Sequence, residues 1–251
     1  MNLKNSSVGI FADGTVGAQI VSFLLDADPK NISFICIIEK DGNPVWDVLQ
    51  LKSFNADKII FHKDLSSEKM QSLKVDVGFL CWWPYIVKED TLSIAERFVV
   101  NTHPSYLPFC RGKDPNFWAI AHQEPFGVTL HTVNLKIDAG DILAQREIPV
   151  TWQDNGKTLY EQSLKEMVSL FKKTYFPIIN GELTPKKQPD GGSFHYRKEL
   201  EAASEIDLDK TYSGRELLNL LRARTFKPHP AAWFEDGGKR YNVTVEITED
   251  D

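Results

Sequence analysis

The sequence predicts an α/β fold, a Rossmann-like, mainly parallel sheet with flanking helices, followed by a small C-terminal α+β extension. Three observations carry this. Short apolar strands alternate with helical segments through the first half of the chain, the pattern of βαβ units. Ile32 to Ile38 is a continuous apolar run rich in β-branched residues, as expected for a strand covered on both faces. A Pro/Gly-rich stretch at 184–193 separates the body from a tail with its own pattern.

Val8 to Phe11 reads as the first strand and runs into Asp13-Gly14-Thr15-Val16-Gly17, after which Val16, Ile20 and Leu24 recur at helical spacing. Lys58 to Phe61, Val77 to Cys81 and Arg97 to Asn101 are further strands. After Pro125 the pattern changes: Gly127 to Val133 and Ile142 to Val150 read as antiparallel additions to the sheet. Residues 157–180 form an amphipathic helix, with Leu164, Val168, Phe171 and Tyr175 on one face and Gly181 at the stop. The 184–193 stretch reads as a linker. Beyond it, Ser213 and Glu216 form a capping box before a Leu-rich helix, and two strand-like pieces flank Gly237-Gly238. The expected domains are residues 1–183 and 184–251.

The chain has 251 residues, 42% hydrophobic and 25% charged, with a formal charge of −6. That size buries enough apolar surface to need no disulfide or metal staple. Binding a phosphate backbone usually takes a basic face, and this acidic chain has no long Lys/Arg run, so bulk nucleic acid is not an expected partner, while a local basic pocket for one nucleotide stays open. Cys36, Cys81 and Cys110 form no CxxC and read as small buried hydrophobes of a reduced, cytoplasmic protein. The N-terminal segment MNLKNSSVGIFADG has no signal-peptide core, and no apolar stretch approaches the length of a membrane span. Gly9, Gly14 and Gly17 match neither GxGxxG nor a P-loop, and are read as permitting a tight turn and close helix packing.

The informative segment runs from Phe98 to Ile120. Asn101 and His103 are two apart, so on an extended chain both side chains project the same way, and Pro104 keeps His103 extended. An amide and an imidazole then point together from the carboxyl end of a strand, where open α/β sheets bind ligands. Imidazole takes a proton near neutral pH and an amide donates to a developing oxyanion, the two roles that acyl transfer to an amine requires. The bland alternative is a His and an Asn capping a loop. The turn Asp138-Ala139-Gly140-Asp141 lies between two strands. A carboxylate from it, Asp138 or Asp141, can orient the imidazole. Spacing alone does not choose between them.

The run Asn101-Thr102-His103-Pro104-Ser105-Tyr106-Leu107-Pro108, followed by Arg111-Gly112, resembles the N10-formyltetrahydrofolate-dependent formyltransferase family. Gly127 to His131 and Ile137 to Gln145 follow in that family's order, and the resemblance covers roughly residues 5–183. It implies Asn101, His103 and Asp138 as the catalytic trio, with Asp141 as second choice. It implies N10-formyltetrahydrofolate as co-substrate, with no metal. It also implies a pterin-facing loop at 82–87 in which Tyr85, Ile86 and Val87 bind the folate.

The runs Gly112 to Trp118, Phe194 to Lys198 and Leu221 to Pro230 resemble the nucleotide-sugar N-formyltransferases. This branch implies formyl transfer to the amine of a dTDP-linked 4-amino- or 3-amino-dideoxyhexose, in the synthesis of surface polysaccharide such as lipopolysaccharide O-antigen. Lys113, Asn116 and Arg197 are then the expected contacts to the nucleotide sugar. A homodimer is compatible with this reading. Other acceptors within the family are glycinamide ribonucleotide and methionyl-tRNA, the latter disfavoured by the acidic charge and short tail. Rivals from other classes are a formyl-folate hydrolase, a nucleotide-binding module and a dehydrogenase.

Overall fold

The computed structural model describes residues 6–250; the first five residues of the N-terminal segment and Asp251 lie outside the described residues. The strands are β1 (Val8–Ala12), β2 (Ile32–Ile37), β3 (Ile59–Phe61), β4 (Val75–Cys81), β5 (Ala95–His103), β6 (Arg111–Gly112), β7 (Gly127–Thr132), β8 (Ile142–Glu147), β9 (Phe194–His195), β10 (Ala232–Asp236) and β11 (Lys239–Val243). The helices are α1 (Gly14–Ala27), α2 (Pro44–Leu51), α3 (Ser67–Ser72), α4 (Glu89–Leu92), α5 (Pro115–His122), α6 (Gly156–Ile179), α7 (Glu199–Ala202) and α8 (Gly214–Arg224).

One sheet has the order β3-β2-β1-β4-β5-β7-β8. Its first five strands are parallel and β7 runs antiparallel to β5, as the change of pattern after Pro125 predicts. The described residues fall into two compact units: 6–103, 129–145 and 165–188 make the first, and 104–128, 146–164 and 189–250 make the second.

In the first unit, alternation along the strands sorts side chains between the two faces of the sheet. Phe11, Phe34, Cys36, Leu80 and Val99 share one buried cluster, to which Trp83 and Val87 add from the loop after β4. Phe79, one residue from Leu80, packs instead on Phe171 and Tyr175 of α6, with ring centroids 5.3 and 5.7 Å apart. The last carbonyls of α6, at Ile178 and Ile179, accept 3.0 and 2.9 Å hydrogen bonds from the Arg97 guanidinium on β5, which satisfies a helix end that has no intrahelical donors. Gly17 faces the Cys81 carbonyl, which a Cβ there would approach to 3.0 Å, so this glycine serves close packing of α1 on β4.

In the second unit, α5 packs against α8, and β10 and β11 pair around Gly237-Gly238, both at positive φ. The capping box at Ser213 and Glu216 forms as the sequence predicts.

The 184–193 stretch is more structured than the linker that its composition predicts. Lys186 and Ile142 exchange backbone hydrogen bonds of 2.8 and 2.7 Å within the first unit. Ser193 accepts from Arg111 N at 3.1 Å within the second, just before β9 pairs with β6. Pro and Gly set local conformation here, but backbone pairing with distant strands is invisible to local composition.

All three cysteines are free and buried, and burial pushes their thiols well above the ordinary range. Among the described residues, no helix is long and apolar enough to cross a membrane. Among the same residues, no group of three or more His, Cys, Asp or Glu side chains is placed to hold a metal ion.

Candidate active site

β5 runs on to His103, two residues past its expected end. Within it Asn101 is the register partner of Leu80 on β4 and of His131 on β7, and His103 pairs with Thr129. Asn101 and His103 follow Val99 on the face that Leu80 shares, while Thr102 points the other way. The Thr102 hydroxyl donates to Leu80 O at 3.1 Å and accepts from Trp82 N at 2.8 Å. The intervening residue thus ties down the end of β4, and its neighbours present their side chains together.

Asp138 Oδ1 lies 3.5 Å from His103 Nδ1 and 3.7 Å from His131 Nε2. The carboxylate at the imidazole is therefore that of Asp138. Asp141 instead joins the backbone pairing: its N–H donates to Thr132 Oγ1 at 2.9 Å and its carbonyl accepts from Thr132 N at 2.8 Å. Asp138 sits at φ +50°, a left-handed conformation that few non-glycine residues adopt, aspartate among the more frequent, and that the surrounding turn holds here. Gly140 supplies part of that constraint, because a Cβ there would lie 1.6 Å from the Thr132 carbonyl oxygen. The side-chain amide of Gln188 supplies more, donating to the carbonyls of Asp138 and Gly140 at 2.8 and 2.7 Å.

The sequence singles out the motif Gly127 to His131 but gives His131 no role of its own. Its Nδ1 lies 2.7 Å from the Thr132 carbonyl, which can only accept, so Nδ1 carries the proton. Its Nε2 is then an acceptor, 3.3 Å from Asn101 Nδ2. Burial, reinforced by the neighbouring His103, pushes the His131 pKa down to about 4, so this ring stays neutral in neutral solution. A neutral acceptor fixed in this way sets the Asn101 amide with its NH2 towards the site. The one sequence signal available was the cross-strand register, since a His on the neighbouring strand must lie beside Asn101 once β5 and β7 pair.

His103 itself is only 5% exposed, and its Nε2 is buried without a hydrogen-bond partner. A buried imidazole nitrogen without a partner is costly unless a ligand completes it. Asn101, oriented by His131, and His103, faced by Asp138, together provide a neutral donor and a titratable nitrogen beside one another. That arrangement can bind a carbonyl oxygen and move a proton.

The loop after β4 carries the expected folate residues of the first unit. Tyr85 is 45% exposed and stacks on His62 with ring centroids 4.1 Å apart, and Ile86 is 79% exposed. Val87 is half-buried and packs under the loop. Trp83 is partly buried and packs against the core, its ring 5.5 Å from that of Phe11.

The expected sugar-nucleotide residues lie in the second unit. Lys113 and Arg197 are exposed, and the Asn116 amide donates to Gly156 O at 2.8 Å, at the start of α6. Phe117, Trp118 and Ile120 are buried packing residues of α5.

A profile described as N-formyltransferase dimerization C-terminal domain matches residues 199–249. The chain is 29% identical over 232 residues to the bifunctional polymyxin resistance protein ArnA of Wigglesworthia glossinidia brevipalpis, covering 89% of this chain and 35% of that protein. It is 30% identical over 149 residues to the dTDP-4-amino-4,6-dideoxyglucose formyltransferase of Mycobacterium bovis, covering 59% of this chain and 64% of that one. The matches thus span about a third and under two thirds of these relatives. A crystal structure of the N-formyltransferase from Helicobacter canadensis, in complex with folinic acid and dTDP-3-aminofucose, shares the fold with a TM-score of 0.72 at 22% identity, over 93% of this chain and 85% of that one. The profile of the family described as Formyl transferase matches residues 36–174, the stretch holding Asn101, His103, His131 and Asp138, and on that match the chain belongs to the formyl transferase family.

Proposed function

We propose that this protein transfers the formyl group of N10-formyltetrahydrofolate to the amine of a nucleotide-linked amino sugar, a dTDP-linked 4-amino- or 3-amino-dideoxyhexose. The observation that carries the chemistry is the buried, unpartnered Nε2 of His103, set beside Asn101 and backed by Asp138. The acceptor class is supported by the mycobacterial relative and by the Helicobacter complex, whose ligands are a folate and a dTDP-amino sugar. The relative's name favours the 4-amino series and the complex the 3-amino series, and the acceptor panel below distinguishes them.

The folate supplies the formyl carbon. As a neutral amine adds to that carbon, the carbonyl oxygen gains negative charge. The Asn101 amide and protonated His103 donate to it. Asp138 faces Nδ1, keeps the ring oriented and stabilises its positive charge. The amine gives up one proton, the folate nitrogen takes one as the C–N bond breaks, and His103 is the group that relays it. Tyr85, Ile86 and Val87 are assigned to the folate. Lys113, Asn116 and Arg197 are assigned to the nucleotide sugar. Residues 1–183 are the catalytic domain and 184–251 the extension, through which the chain forms a homodimer. The product serves surface polysaccharide synthesis, and the enzyme works in the cytoplasm.

The test is mass spectrometry of a panel of dTDP- and UDP-amino sugars incubated with formyl-folate and enzyme, beside a reaction with no acceptor. Formylation of a dTDP-amino-dideoxyhexose is expected. Formate release without acceptor, with no sugar formylated, would replace this reading by a hydrolase.

A further inference from the structure

We infer that Gln188 is a positioning residue for Asp138, a role that rests on the proposed formyl transfer for its catalytic consequence but not for its structural one. The 184–188 segment lies outside every motif that the function absorbs, yet its last side chain reaches back across some fifty residues to the turn that holds the carboxylate. Both hydrogens of one carboxamide nitrogen are used there. Nε2 donates to Asp138 O at 2.8 Å and to Gly140 O at 2.7 Å, and so spans two carbonyls that a relaxed turn has no reason to hold together.

The need for such a clamp follows from the backbone. Asp138 at φ +50° stands in the left-handed region, away from the conformations most side chains prefer, and the turn would relax if nothing opposed it. Thr132 and Gly140 fix its far side, where Asp141 N meets Thr132 Oγ1 at 2.9 Å. Gln188 fixes its near side. Gln188 is in turn anchored two residues upstream, where Lys186 pairs with Ile142 at the start of β8.

Relaxation of the turn would carry the Asp138 carboxylate away from a contact that is already 3.5 Å long. The residue type also matters. A glutamate of the same shape has no N–H to donate and would set a negative charge against two carbonyl oxygens, so Gln188→Glu should harm the turn more than Gln188→Ala.

Two readouts test this. Amide hydrogen exchange of residues 139–141 in the unliganded full chain reports the clamp without reference to activity, and both variants should raise it, Gln188→Glu more. Steady-state formyl transfer reports the consequence: kcat should fall about 10- to 100-fold, with KM for the acceptor within about twofold. In an Asp138→Asn background, adding Gln188→Ala should cost less than about a further twofold, because Gln188 acts through the carboxylate already removed.

Unchanged exchange in both variants overturns the inference. So does raised exchange with normal kcat, or losses that multiply in the double variant. If the wild-type chain formylates no acceptor, the proposed function fails, and the exchange data alone decide whether the clamp exists.

Discussion

The side-chain amide of Asn101 stands 3.3 Å from Nε2 of His131, its register partner across the β5–β7 pair. An amide has two chemically opposite ends of nearly equal size, and an oxyanion would be repelled by the wrong one. His131 decides the matter, because its Nδ1 proton is committed to Thr132 O and only its lone pair is left for Asn101.

Replacing Asn101 by Ala removes the donor while leaving His103 and Asp138 in place. One donor to a developing oxyanion is typically worth a factor of about 100 to 1000 in turnover. Asn101→Ala is therefore expected to lose that much in kcat. An assay showing it within about tenfold of wild type would remove Asn101 from the chemistry.

His131 also makes the fold sensitive to acid. Its folded-state pKa is depressed to about 4 by burial and by His103, against 6.5 for an ordinary histidine. Between those values the unfolded chain binds a proton that the folded chain refuses, so stability is full above pH 6.5 and falls as pH drops toward 4. The contribution changes by up to about 1.4 kcal/mol per pH unit in that window. Chemical denaturation of wild type and His131→Asn across pH 4–7 should show a steeper acid loss in the wild type. Parallel curves would mean that His131 titrates normally.

Much of this was legible in the sequence, because it depended on local rules. Alternation placed Asn101 and His103 on one face, apolar runs gave the parallel strands, and the capping box at Ser213 marked α8. What escaped depended on pairing between distant segments. His131 acquires its role from the register of β7 on β5, and Gln188 from the pairing of Lys186 with Ile142. Neither is written in the residues around them. Spacing does not choose between Asp138 and Asp141 for the same reason, and only the family resemblance favours Asp138. Both sit in one turn, and only the turn's geometry sends one carboxylate to His103 while the other residue's backbone completes the pairing with Thr132.

Asp138 and Asp141 should therefore respond differently to the same substitution. Asp138→Asn keeps the shape of the side chain but removes the charge that faces Nδ1, and is expected to lower kcat at least about 100-fold. Asp141→Asn leaves both backbone bonds to Thr132 intact and should stay within about threefold of wild type. Equal losses in the two variants would contradict the assignment of the carboxylate to Asp138.

Thr102, between the two site residues, should separate stability from activity. Its hydroxyl is buried on the opposite face of β5, accepting from Trp82 N and donating to Leu80 O. Thr102→Val removes the hydroxyl that bonds both the Trp82 N–H and the Leu80 carbonyl, and losing two such hydrogen bonds costs about 1–3 kcal/mol. In a chain of this size that lowers Tm by roughly 2–12 °C. The strand's alternation keeps Asn101 and His103 facing their own side, so kcat of the folded variant at 25 °C should remain within about threefold. Loss of turnover on the scale of Asn101→Ala, with Tm unchanged, would show that the two faces of the strand are not independent and that Thr102 takes part in the reaction.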